Sequence, residues 1–196
     1  MPQTTTFGDD IPLDSHIIEV RVHNLKNLFD ALDPSPFIAQ DVDDTAQQYI
    51  VGSANEVSSR LPLALAVHIL EPPASEEESR DVGEAIREHF ARQSGFAGLR
   101  LNELIRRGGI SLIIGLTFLS IALTLSSALL KWATLSNAIE VFREGLLICG
   151  WVAMWRPIEI FLYDWWPILG ESRTFDRLSH MPVQIVYEGP IPLSKP

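Results

Sequence analysis

From Ile110 to Leu130 the chain runs for 21 residues without a charged side chain, ISLIIGLTFLSIALTLSSALL. At about 1.5 Å of rise per residue this run makes a helix of roughly 31 Å, the thickness of a bilayer's hydrocarbon core. A second apolar stretch, GLLICGWVAMWRPIEIFLYDWW, follows after a short connection. Together they predict a two-helix transmembrane hairpin over residues 108–166 with an interfacial end, and the lipid bilayer as its first partner. The rest of the chain then reads as a small polar domain gathered at one end of that hairpin.

Charge divides the chain in the same way. Up to residue 90 there are 17 acidic side chains against 5 basic ones, and from residue 91 onward 8 against 10. An acidic domain of this kind lacks the basic face that nucleic-acid binding requires, so no nucleic acid is expected as a partner. Arg87, Arg92, Arg100, Arg106 and Arg107 precede the first apolar run, and Arg173 and Arg177 follow the second. The connection offers only Lys131 and Arg143. The positive-inside rule therefore predicts cytoplasmic termini, in a bacterial cytoplasmic (inner) membrane. The opening MPQTTTFGDD has neither a basic region nor an apolar run, so no signal peptide is expected.

Residues 1–15 mix Thr, Pro, Gly and Asp and predict a flexible arm. His16 to His23 alternates, with Ile18, Val20 and Val22 on one face and Glu19, Arg21 and His23 on the other, which is the period of a half-buried strand. Leu25, Leu28, Phe29 and Leu32 fall at helical spacing behind Asn24, until Pro34 and Pro36 end the element. An aspartate among Asp41, Asp43 and Asp44 opens the next helix, whose stripe includes Thr45, Ala46, Tyr49, Ile50, Ser53, Ala54 and Val57. Carboxylates there complement the helix dipole, and no glycine turn or later glutamate completes a calcium loop.

The run Leu63 to Leu70, apolar except at His68, predicts a strand covered on both sides and parallel to the first. Ser75 with Glu78 forms a capping box for a long helix lined by Val82, Ala85, Ile86, His89 and Phe90. Gly95 and Gly98 are expected to interrupt it before an amphipathic neck leads into the membrane, completing a cytoplasmic α/β domain over residues 16–107. Beyond the hairpin, residues 167–196 hold a short helix over Gly170 to Met181. After it Val183 to Tyr187 returns as a candidate third strand. The expected fold is thus α+β: a two- or three-stranded sheet with covering helices, carrying the hairpin.

Arg156, Pro157, Glu159 and Asp164 interrupt the second apolar stretch. Its 11 uncharged residues from Gly145 to Trp155 reach only about 16 Å, too short to span. A helix centred on the stretch itself would put Arg156 near mid-bilayer, at about 2.5 kcal/mol or more. A start near Ala138 instead sets Arg156 beside Leu112 at the membrane surface and Glu159 level with Gly109, within reach of Arg106 or Arg107. It also gathers Trp155, Tyr163, Trp165 and Trp166 at one interface. Arg106, Arg107, Arg156 and Glu159 are accordingly expected to form a membrane-interface charge cluster that fixes the hairpin register.

No nucleotide loop, nucleophile elbow or zinc helix is present, and the single cysteine, Cys149, permits neither an internal disulfide nor a thiolate cluster. His23 and His68, on neighbouring strands, are the one pair with acid–base or metal potential. No catalytic group, cofactor or metal is expected. The absence of a catalytic constellation predicts an accessory, anchoring or assembly protein that works through contacts, as a homo-oligomer or with a membrane-protein partner. The alternative is a subunit of an oligomeric channel or transporter that uses the charges of the second membrane helix.

Overall fold

A computed structural model describes residues 5–29, 40–71, 76–130 and 137–187. The chain divides into two compact units, one of residues 1–96 with 171–196 and one of residues 97–170.

The first unit is α+β. Its sheet has four strands, β1 (Thr5–Gly8), β2 (His16–Val22), β3 (Leu63–Ile69) and β4 (Val183–Tyr187), in the spatial order β1-β4-β3-β2. The sheet is mixed: β2 and β4 both run parallel to β3, and β1 is antiparallel to β4. The expected sheet of two or three strands therefore gains a fourth from the segment read as a flexible arm. Thr-Thr-Phe-Gly carries no apolar alternation to mark it as a strand. Its C-terminal end is fastened instead. Gly8 turns at φ +94°, Asp9 donates its N–H to the Val183 carbonyl at 3.0 Å, and the Asp9 carboxylate accepts from Val183 N–H at 3.1 Å and Arg87 at 2.7 Å. A side chain at Gly8 would press its Cβ to 2.7 Å from the Val183 oxygen, so this turn needs glycine twice over, for φ and for space.

The predicted helix after Asn24 is shorter than its spacing suggests, a 3₁₀ turn over Leu25–Leu28 followed by a bridge from Phe29 to Val42. The rest of that predicted helix, with Pro34 and Pro36, lies outside the described residues, as do Ser75 of the capping box and Lys131. Helix α1 (Asp44–Glu56) starts on Asp43, whose carboxylate accepts from the N–H groups of Thr45 at 2.9 Å and Ala46 at 3.2 Å. Asp43→Ala should cost about 1 kcal/mol of the unit's stability, read as a lowered midpoint in urea.

The core lies between the helices and the sheet. Ile18, Val20, Leu65, Val67, Val183 and Ile185 contribute from the strands; Ile50, Val82, Ile86, Phe90, Phe175 and Leu178 contribute from the helices. The inner face read from Val82, Ala85, Ile86, His89 and Phe90 is buried throughout.

Helix α2 (Glu76–Leu130) runs 55 residues without a break. The expected interruption at Gly95 and Gly98 does not occur. Glycine without a following proline only lowers helix propensity, by about 1 kcal/mol, and the strongly helical flanks carry the ladder through.

In the second unit α3 is described over Asn137–Glu159, and the residues just before it lie outside the described ones. Pro157 does not separate a distinct interfacial helix as expected. The chain continues through a π-helical turn, Ile160–Asp164, directly into α4 (Trp165–Ser179), so the last helix begins earlier than Gly170. The wide turn next to the proline absorbs the register lost with its missing N–H.

Two helical stretches, within Arg80–Ala128 and Glu140–Ser179, are long and apolar enough to cross a membrane. Only 17% of the most apolar window in each is buried, whereas the core helix of a soluble protein would be largely covered.

Candidate functional site

Three glycines set how closely the two apolar helices approach. A Cβ built on Gly108 would lie 2.7 Å from Ile160 Cγ2, one on Gly115 would lie 3.1 Å from the Ala153 carbonyl oxygen, and one on Gly150 would lie 2.8 Å from Leu119 Cδ1. Gly108 against Ile160 and Gly115 against Ala153 define an antiparallel register that sets Arg156 level with Leu112 and Glu159 level with Gly109. This is the register argued from hydrophobic length and aromatic placement alone. Ala153 is also the residue whose carbonyl loses its helical donor to Pro157. Gly115, with no side chain, lies close to that oxygen.

The charges around this register pair within their own helices rather than across the hairpin. Arg156 holds Glu159 at 2.9 Å and Asp164 at 3.4 Å. Arg107 pairs with Glu103, one helical turn earlier, so the four-residue cluster of Arg106, Arg107, Arg156 and Glu159 is not assembled as a unit. The Arg156 side chain is 61% exposed and that of Glu159 44%, which makes the trio Arg156, Glu159 and Asp164 a surface feature of the unit. An apolar groove in the same unit is lined by Gly115, Phe118, Cys149 and Val152, with the Ser111 hydroxyl and the Cys149 thiol its polar side-chain groups.

The two histidines singled out by sequence do not form a pair. The β2–β3 register puts Arg21 opposite His68, and His23 lies beyond the end of β2, where its Nε2 is 3.4 Å from Glu71 Oε1. Among the described residues no group of three or more His, Cys, Asp or Glu side chains is placed to hold a metal ion.

The buried polar network lies elsewhere, around His89 of α2, which is 1% exposed. Its Nδ1 is 3.0 Å from Asp41 Oδ1 and its Nε2 is 2.6 Å from the Gln47 side-chain amide, while Arg92, one turn further on, donates to the same Asp41 oxygen at 2.8 Å. Burial holds the His89 pKa below its ordinary value, partly opposed by Asp41. The hydrogen bond from Arg92 holds Asp41 below the ordinary carboxylate value, so the carboxylate stays charged. His89 could be read as an inner-face residue from its spacing with Val82 and Phe90. Its partner Asp41 is 48 residues away and carries no sequence signal that would join them.

The network clamps the segment before α1 onto α2, and it has a definite pH consequence. His89 is depressed in the fold, so the unfolded chain takes up the proton first. This contribution to stability is complete above about pH 6.5 and declines as pH falls below that value. Asp41, also depressed, contributes above its unfolded value and is lost at still lower pH. The urea midpoint of the full chain should therefore fall as pH drops below about 6.5, and His89→Gln should flatten that dependence.

The described residues thus present a charged trio on an apolar hairpin and, in the α+β unit, a polar clamp around the buried His89. No protein-family model, no curated protein and no solved structure matches this chain.

Proposed function

We propose that this chain is an integral membrane accessory, anchoring or assembly protein that acts through protein contacts and catalyses nothing itself. One observation carries the reading. Many large apolar side chains of residues 110–128 and 141–166 are exposed, Ile113 at 67%, Val152 at 66% and Trp155 at 74%, which is a surface suited to lipid tails.

Sheet topology adds support for the arrangement of the termini. Strands β3 and β4 are adjacent partners, and the whole excursion from residue 97 to residue 170 lies between them in sequence. Whatever membrane the excursion crosses, it must return on the side from which it left. The arginine distribution makes that side the cytoplasmic face of a bacterial inner membrane. Extraction in mild detergent at native expression, followed by native mass spectrometry, should recover the chain in a discrete complex. A monomer that associates with nothing would contradict the reading.

The trio Arg156, Glu159 and Asp164 favours a second reading, a subunit of an oligomeric channel or transporter, because charges within an apolar helix commonly mark a path for ions. Two helices enclose no path, so this reading needs several copies. Arg156→Ala and Glu159→Ala should then abolish flux in liposomes without altering assembly, and a parent protein that conducts nothing would end it.

A further inference from the structure

Strand β2 is an outer edge of the sheet, paired with β3 on one side only. The His16 N–H donates to the Pro62 carbonyl at 2.8 Å, which fixes the parity of the parallel ladder. The backbone groups of His16, Ile18, Val20 and Val22 turn toward β3, and those of Ile17, Glu19 and Arg21 turn away from the sheet. This edge is seven residues long, rich in β-branched side chains, and without the proline, lysine or bulge that sheet edges use to discourage pairing. The opposite edge, β1, has four residues and closes on the Gly8 turn. Along β2 lies a groove of about 540 Å³ whose far wall is the start of α1, including Asp43, Thr45 and Tyr49. Tyr49 leaves apolar surface in that groove, 56% exposed, and Ile17 on β2 itself is 45% exposed. Among the described residues neither Glu19 nor Arg21 has an ion-pair partner.

The charges select the occupant. An antiparallel strand added to the outward groups must pair odd residues with odd. If that strand is β2 of a second copy, with the two-fold axis at Val20, Glu19 faces the partner's Arg21 and Arg21 faces the partner's Glu19. Both are hydrogen-bonded pairs with side chains on the exposed face. A slip by two residues in one direction sets Glu19 against itself, and in the other direction sets Arg21 against itself. We propose that β2 is a self-pairing edge: two copies of the chain join β2 to β2, antiparallel and centred on Val20, with a Glu19–Arg21 pair at each end of the contact. This deepens the contact-based reading above by naming a second copy as a partner, and it stands independently of the bilayer.

Sedimentation of the full chain in mild detergent tests it. Glu19→Arg and Arg21→Glu each place like charges opposite one another twice, and each should weaken dimerisation about tenfold. The double variant E19R/R21E restores opposite signs and should restore the parent affinity. Both positions are exposed, so folding is spared. In a Cys149→Ser background, mixed copies of E19C and R21C should form a disulfide, because a hydrogen-bonded antiparallel pair sets Cα atoms about 5.5 Å apart. E19C alone should not, since its own copies lie two residues out of step. A monomer across the concentration range would overturn the proposal. So would a dimer indifferent to both single reversals, which would place the contact elsewhere. A hetero-complex in the native extract that E19R leaves intact would keep the contact-based function and remove only the edge pairing.

Discussion

Phe90→Ala should lower the stability of the α+β unit by about 3–5 kcal/mol, most of what a small domain possesses. Phe90 is 0% exposed; its ring stacks on Phe175 with centroids 6.2 Å apart and meets the His89 ring edge-on at 5.3 Å. It therefore joins the helix by which the chain leaves this unit to the helix by which it returns. Removing the ring opens a cavity between two helices that cannot collapse freely, because α2 is also held by the Asp41–His89–Arg92 clamp, and α4 by the Thr174–Asn55 hydrogen bond at 2.9 Å. Urea denaturation monitored by far-ultraviolet circular dichroism measures the loss. A change below about 1 kcal/mol would mean that the two helices do not depend on this contact.

Gly115→Leu should open the hairpin. The two helices approach so closely at Gly115 that even a Cβ there would meet the backbone oxygen of Ala153 at 3.1 Å, and backbone cannot step aside as a side chain can. The overpacking should cost about 1–3 kcal/mol and separate the helices. Spin labels on cysteines at Ser127 and Val141, in a Cys149→Ser background, should report one short distance in the parent and a longer, broader distribution in the variant. An unchanged distance would show that the close approach is dispensable. Gly145, which meets nothing within 4 Å, is the matched control, since Gly145→Leu should leave the hairpin closed.

How much of this fold is legible in the sequence depends on the range of the physics involved. Strands β2, β3 and β4 announce themselves because alternation or a bounded apolar run is a local property, and His16–Val22, Leu63–Ile69 and Val183–Tyr187 fall within a residue or so of where those patterns put them. The hairpin register is equally legible, since hydrophobic length and the cost of a buried Arg156 leave little freedom. Strand β1 is concealed because Thr5–Gly8 is polar and its place depends on Asp9 reaching Val183 and Arg87, far along the chain. The continuity of α2 through Gly95 and Gly98, and of α3 through Pro157, is hidden for a related reason. A breaking residue states only a local cost, and whether the helix goes on depends on what anchors both sides.

The same contrast applies to the candidate sites. Arg156 and Glu159 are conspicuous because charges within an apolar helix stand out. In the structure they pair with each other and Arg156 also with Asp164, while Arg107 pairs with Glu103, in place of the expected reach of Glu159 to Arg106 or Arg107. His23 and His68 stand out only by residue type, and the strand register separates them. His89 looks in the sequence like one more inner-face residue, and only the fold brings Asp41, Gln47 and Arg92 to it.

The single thiol offers the most direct test of the membrane hairpin. Cys149 lies in the middle of α3 and is exposed on the protein surface, so in water it would react freely. Membranes carrying the full chain, opened by freeze–thaw so that both faces are reached, can be treated with a membrane-impermeant maleimide before and after dissolution in sodium dodecyl sulfate. If the hairpin spans the bilayer, lipid shields Cys149 from both faces and labelling appears only after dissolution. Prompt labelling in the intact membranes would contradict the transmembrane hairpin.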